Sequence, residues 1–222
     1  MKNTVSSDEA RRLILEGKAP SGMHVGGDLY LRKYTSLESL PEGMHVGGDL
    51  DLHVCTSLKS LPEGLHVEGY LDLEGCTSLK SLPENLHVGG FLNLVGCTSL
   101  KSLPEGLHVG GYLSLYRCTS LESLPEELHV EGYLDILGCT SLKTLPEGLY
   151  VGGWLDLVGC TSLKRLPYSI HVGGSILCDE ALIRRIPLED LPLYMSIKWG
   201  KEELEQDYKE RLEALSEADS DS

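Results

Sequence analysis

Apolar and polar residues alternate in short bursts along this chain. In Tyr70-Leu71-Asp72-Leu73-Glu74 the alternation predicts a strand with one buried face. The same burst returns at a fixed interval, with inward pairs at Leu50/Leu52, Leu71/Leu73, Leu92/Leu94, Leu113/Leu115, Leu134/Ile136 and Leu155/Leu157. Proline keeps the same step, at Pro20, Pro41, Pro62, Pro83, Pro104, Pro125, Pro146 and Pro167, each 21 residues after the last. Read from proline, the unit is P-E-G-L-H-V-x-G-x-L-x-L-x-x-C-T-S-L-K-S-L. Glycine lets the chain turn sharply into the strand, Cys-Thr-Ser makes the corner leaving it, and Leu79 and Leu82 point back inside. Pro83 then interrupts regular structure, and Leu86 and Val88 re-enter the core. One unit cannot bury its own leucines, whereas stacked units can, with parallel strands about 4.8 Å apart. The expected fold is a repeat solenoid.

Seven full units fill residues 20–166, and a degenerate eighth, one residue short, runs from Pro167 to Ile186. The flanks differ from the middle, as caps must. Residues 1–19 predict a helical cap from Ser7, as N-cap, to Gly17, as stop. Residues 187–215 predict a second cap. Its helix from Lys201 to Leu215 carries Leu204, Tyr208, Leu212 and Leu215 on one stripe and covers the last coil with the help of Trp199. Residues 216–222 are small and acidic, a composition expected of a disordered tail.

The segment Leu73-Glu74-Gly75-Cys76-Thr77-Ser78-Leu79-Lys80-Ser81-Leu82-Pro83 resembles the leucine-rich repeat, and is most similar to the repeats of plant intracellular immune receptors. The short period and the Leu-Pro-Glu junction look more like bacterial versions. The resemblance covers about three quarters of the chain. It implies an arc with the parallel sheet on its concave face and short turns on the convex side. The usual leucine three residues before the strand's first leucine is replaced by Glu or Gly, with Val one place earlier, as at Val67. A flatter β-solenoid is therefore the alternative.

Charge narrows the partners. The formal charge is −15, with 34 acidic against 19 basic residues. A nucleic-acid binder needs a basic surface, and an anionic membrane repels this one. No secretory signal or span of 18 apolar residues is visible, so a cytoplasmic protein is expected.

A strict period turns each position into a column of like residues. Cys55, Cys76, Cys97, Cys118, Cys139 and Cys160 form one, with Cys178 off it. A straight column of sulfurs cannot converge on one zinc ion, so each thiol is read as filling a corner and bonding weakly to backbone. His24, His45, His66, His87, His108, His129 and His171, interrupted by Tyr150, form a second column, with His53 outside it. No carboxylate or second histidine recurs beside each at chelating spacing, so this column is read as a half-exposed stack filling the turn before glycine. No metal and no cofactor are expected. The Lys59, Lys80, Lys101, Lys143, Lys164 column, in part alternating with Glu38 and Glu122, and the Glu42-to-Glu147 column read as solvated faces.

The strand's outward positions vary from repeat to repeat. The first column runs Asp28, Asp49, Tyr70, Phe91, Tyr112, Tyr133, Trp154, Ser175. The middle column runs Tyr30, Asp51, Asp72, Asn93, Ser114, Asp135, Asp156, Leu177, and the third runs Arg32, His53, Glu74, Val95, Tyr116, Leu137, Val158, Asp179. Aspartate is depleted in strands and like charges on neighbouring strands repel, so something other than sheet propensity favours it here. Aromatics beside charge are typical of recognition surfaces. A catalytic constellation is normally unique, whereas almost every Cys, His, Ser and Asp here is one copy of many. Cys178-Asp179-Glu180 is the one singular nucleophile candidate, and the chain lacks the Cys-x-Asp motif of the ligase domains that follow some bacterial leucine-rich repeats.

The expected function is thus a non-catalytic module that grips a protein or peptide bearing basic groups, its oligomeric state open with a monomer favoured. Tyr70, Asp72, Phe91, Asn93, Tyr112, Tyr116, Tyr133, Asp135, Trp154 and Asp156 would form its face, with Asp51, Asp72, Asp135 and Asp156 selecting the basic groups. The other readings are a purely structural solenoid, or a glycan or surface binder using the aromatic ladder, including ice matching along the Thr35-to-Thr161 column.

Overall fold

The computed structural model describes residues 4–186, with 198–199, 209–210 and 213 beyond them. The chain winds into a parallel β-solenoid of about eight coils, built on two nine-stranded parallel sheets. One sheet stacks the leucine strands, from Leu29–Tyr30 to Ser175–Leu177, with Lys198–Trp199 at its end. The other stacks the His-Val strands, from His24–Val25 to Ile170–Val172, with Thr4–Val5 at its end. This is the solenoid expected of the repeat, in its flatter form. Where the arc placed short turns, a second sheet stands.

The register is one repeat per step, so like pairs with like: Leu71 with Leu92, Asp72 with Asn93, His66 with His87. Backbone bonds tie each coil to the next, as from Leu73 N–H to Asn93 O at 2.8 Å and from His66 N–H to Met44 O at 3.0 Å. Isolated bridges Ser60–Ser81 and Ser102–Ser123 add a partial third side. The strands themselves are short. The expected five-residue strand contracts in most coils to two residues such as Leu71–Asp72, because a corner begins immediately after it.

All twelve inward residues of the x-L-x-L-x bursts, from Leu50 to Leu157, are buried, so their register is as expected. Leu79, Leu82, Leu86 and Val88 join them in one continuous core. Each of the six column thiols donates to a carbonyl of the preceding coil, as from Cys97 Sγ to Leu73 O at 3.2 Å. Burial pushes these thiols up, Cys55 to about 11 and Cys76, Cys118 and Cys160 to about 12.

The N-terminal cap is a helix, Ser7–Leu15, together with the strand Thr4–Val5, which pairs with His24–Val25. Its N-cap is Ser6, not Ser7. Ser6 Oγ accepts from Glu9 N–H, leaving Ser7 inside the first turn, where its hydroxyl donates to Asp28 O. Ala10 and Ile14 are buried on the helix's inner face, and Gly17 ends the cap in the left-handed region at φ 67°. The eighth repeat closes with the short helix Glu180–Ile183. Of the expected helix from Lys201 to Leu215 only Lys209, Glu210 and Glu213 are described, all helical; the rest of it, the packing of the Trp199 side chain and the tail 216–222 lie outside the described residues. No helix among the described residues is long and apolar enough to cross a membrane.

Candidate functional site

The outer face of the leucine sheet holds the predicted residues, and its first column is a stack. Tyr70, Phe91, Tyr112 and Tyr133 lie ring on ring, with centroids 4.6–4.7 Å apart and planes within 9° of parallel. The coil spacing of a parallel sheet is itself about 4.8 Å, so identical positions place flat rings in contact without distortion. Burial raises the Tyr70 and Tyr112 phenols above their usual range.

The stack fails at one end. Trp154 stands 6.3 Å from Tyr133 and is tipped by 31°, and exposure climbs to 46% at Tyr133 and 63% at Trp154. Tyr70, Phe91 and Tyr112 are half-buried. At the opposite end the column changes chemistry. Asp28 accepts from Asp49 N–H and Asp49 from Tyr70 N–H, both at 3.0 Å, so these carboxylates serve the backbone of the next coil.

The middle column's acids, read from the sequence as selecting basic groups, also serve the backbone of their own coil. In the structure Asp51, Asp72, Asp135 and Asp156 each turn one oxygen onto the backbone N–H two residues on, at 2.9–3.1 Å, and Asn93 does the same to Val95. This is an Asx turn, in which a short side chain imitates a backbone turn and starts the corner. It is the reason aspartate is favoured at a strand position. Neighbouring coils also link sideways where a neutral residue stands beside an acid, Asn93 Nδ2 donating to Asp72 at 3.1 Å and Ser114 Oγ to Asp135 at 3.2 Å. Asp51 is only 6% exposed, and burial raises the Asp72 and Asp156 carboxyls above their ordinary range.

The third column places Tyr116 outside the ring stack, under the guanidinium of Arg117 at 5.0 Å from its centroid. The ten predicted residues thus share one sheet face, but the structure divides them. Tyr133 and Trp154 present free area. Tyr70, Phe91 and Tyr112 are engaged with one another, and Asp72, Asn93, Asp135 and Asp156 with the backbone.

The histidine column is a stack, as read, but it stands on a strand and not in a turn. It runs His24–His45–His66–His87–His108 with centroids 4.5–4.8 Å apart, and resumes as His129–Tyr150–His171 at 4.2 and 4.6 Å. The sequence reading also missed that a carboxylate does sit beside it in two coils. Glu68 and Glu131 interrupt the column otherwise held by Gly26, Gly47, Gly89, Gly110, Gly152 and Gly173. That interruption was the available signal. No family model, curated protein or solved structure matches the chain.

Proposed function

We propose that the protein is a non-catalytic binding scaffold that holds a protein or peptide partner carrying basic groups against the outer face of the leucine sheet. The observation that carries this reading is the exposed end of the aromatic ladder, where Tyr133 still stacks on Tyr112 but Trp154 tips away from it. A ladder selected only to stiffen the sheet would stack to its last ring. Large aromatics bordered by charge are the side chains that anchor interfaces. The formal charge of −15 favours a basic partner by long-range attraction, while the aspartate row, tied to backbone, steers more than it grips. The resemblance of the repeat unit to leucine-rich repeats supports the same reading. So does the state of the thiols, all seven buried, which removes the obvious nucleophiles.

Selection from a random peptide display library on the full chain tests this. Peptides rich in Lys and Arg should be enriched, binding should weaken with salt, and Trp154→Ala should weaken it roughly tenfold or more. Selected peptides that bind Trp154→Ala and Tyr133→Ala as well as the native chain would place the working surface elsewhere. The second reading, a purely structural solenoid, draws on the close stacking from Tyr70 to Tyr112 and expects no enrichment at all. A sugar-stacking face is less favoured. The ring faces in the stack are covered by one another, which leaves Trp154 as the open one.

A further inference from the structure

The outer face of the histidine sheet contains an arrangement the repeat does not need. In later coils the glycine that follows His-Val has no room for a side chain. A Cβ at Gly89 would strike the carbonyl oxygen of Glu68, and one at Gly110 that of Gly89. Glu68 nevertheless occupies this column. Its Oε1 lies 3.2 Å from His66 Nε2 and 3.3 Å from His45 Nε2, so one carboxylate oxygen meets two imidazoles from successive coils. The three donor atoms lie within 4.8 Å of one another.

These spacings have a chemical meaning. With Zn–N of about 2.0–2.1 Å and Zn–O of about 2.0–2.2 Å, neighbouring ligands of a tetrahedral zinc ion stand roughly 3.3 Å apart. Both nitrogen–oxygen edges already have that length. The two rings are stacked at 4.8 Å with planes 13° apart. Stacked rings aim their Nε2 lone pairs nearly in parallel, so binding requires both half-exposed rings to rotate by tens of degrees out of the stack until the nitrogens converge on one ion. Two imidazole nitrogens and one carboxylate oxygen form a donor set suited to borderline divalent ions, with a fourth position open to solvent. We propose that His45, His66 and Glu68 form a binding site for Zn²⁺ or a similar divalent transition-metal ion.

Two neighbouring groups serve as internal comparisons. Glu131 stands 3.0 Å from His129, a contact with a single imidazole. His53, Asp72 and Glu74 also bring their donors within 4.8 Å, on the other sheet. There Asp72 Oδ1 already accepts from Glu74 N–H and Asn93 Nδ2, and His53 Nδ1 is 3.8 Å from Glu74. Each of these offers one imidazole where the proposed site offers two.

The test uses the full chain at neutral pH, titrated with Co²⁺ followed by visible absorption and with Zn²⁺ followed by calorimetry. Two substitutions borrow residues the fold already accepts. Glu68→Gly installs the common residue of its column. His66→Tyr installs the residue found at Tyr150, which stacks between its neighbours. One equivalent of metal should bind, and each variant should lose about 10–100-fold in affinity or more, with its melting curve little changed. Asp72→Asn should leave the affinity unaltered. The proposal is overturned by a native chain that takes up no Zn²⁺, by equal affinity in either of the first two variants, by a thiolate-to-cobalt charge-transfer band, or by Mg²⁺ competing equally for the site.

Discussion

The two sheets share a period, a register and a core, yet their outer faces follow opposite rules. On the histidine sheet one column repeats almost without change, seven imidazoles and one tyrosine. On the leucine sheet the three outward columns change from coil to coil. A column in which each residue packs on its own copy is self-consistent, and any substitution breaks two contacts. Constancy is therefore what stacking alone produces. Variation needs another cause, and the leucine sheet supplies two. The aspartates of the middle column build corners, and the aromatics of the first lead out to an exposed tryptophan. The comparison also gives departures from a constant column their weight. Glu68 in a glycine column is a sharper signal than any single residue of a variable one.

The deepest cut at this comparison is in the shared core. Leu113→Ala, in a central coil, should cost about 2–5 kcal/mol of unfolding free energy. Val109→Ala, fully buried on the other sheet of the same coil, removes two carbons instead of three and should cost less, by about 0.8 kcal/mol for the methylene difference. Urea melts of the pair would show otherwise if the sheets were unequal partners in stability.

The outer faces should separate in binding. Against a selected basic peptide, Trp154→Ala should lose about 1–3 kcal/mol, whereas Tyr150→Ala, on the histidine sheet, should lose nothing. Equal losses measured by calorimetry would mean that both faces touch the partner, or that the coil as a whole has been disturbed.

The corners offer a smaller and opposite effect. Each of the seven full coils has a left-handed residue where it leaves the leucine strand and another where it approaches the histidine strand. Most are glycine, but Val54 holds φ 59° at the first corner and Asn85 holds φ 54° at the second. A β-branched side chain is strained there, while asparagine tolerates that region. Val54→Gly should raise stability by about 1 kcal/mol, net of the entropy glycine adds to the unfolded chain. Asn85→Gly should change it by a few tenths at most. A thermal melt in which Val54→Gly is the less stable protein would show that its methyl contacts outweigh the strain.

Acid should produce the smallest difference. Burial, and then the neighbouring His66 and His108, hold the His87 imidazole below its ordinary range. A depressed folded value means that the folded chain takes up this proton less readily than the unfolded one. The associated stability is present above about pH 6.5 and is lost as pH falls through the folded value. Asp72 and Asp156, raised mainly by burial, act in the opposite sense and favour folding as pH falls through their own folded values. In metal-free buffer the decline below about pH 6.5 should flatten in His87→Gln. Superimposable profiles for the two proteins would show that the ring is too solvated to matter.

Much of this architecture was legible because periodicity turns a position into a contact. Once Cys76 and Cys97 are known to occupy equivalent corners, a bond from each thiol to the coil before it follows from geometry, and the inward leucines follow from alternation. The second sheet was harder. His87-Val88 is two residues between a turn and a glycine, too short for alternation to register, so a strand read as a turn. The aspartate corners had a signature that was present but easily missed. Asp72, Asn93, Asp135 and Asp156 are each followed, three places on, by glycine, at Gly75, Gly96, Gly138 and Gly159. An Asx turn leading into a left-handed residue explains that spacing. The tilt of Trp154 could not be read at all, because it depends on how a larger ring meets a smaller one below it.

The buried thiols have a consequence for how this molecule could be watched. A thiol held near or above a pKa of about 11–12 inside the core does not react with alkylating reagents until its coil opens. Each column cysteine straddles two coils, through its bond to the carbonyl before it. Chains retaining one cysteine at a time would therefore report the opening of one junction at a time, by labelling rate alone. The column is a graduated scale laid along the solenoid axis. On it, fraying inward from the ends and rupture at the middle would leave different marks, Cys55 and Cys160 ahead of Cys97 and Cys118 in the first case and behind them in the second.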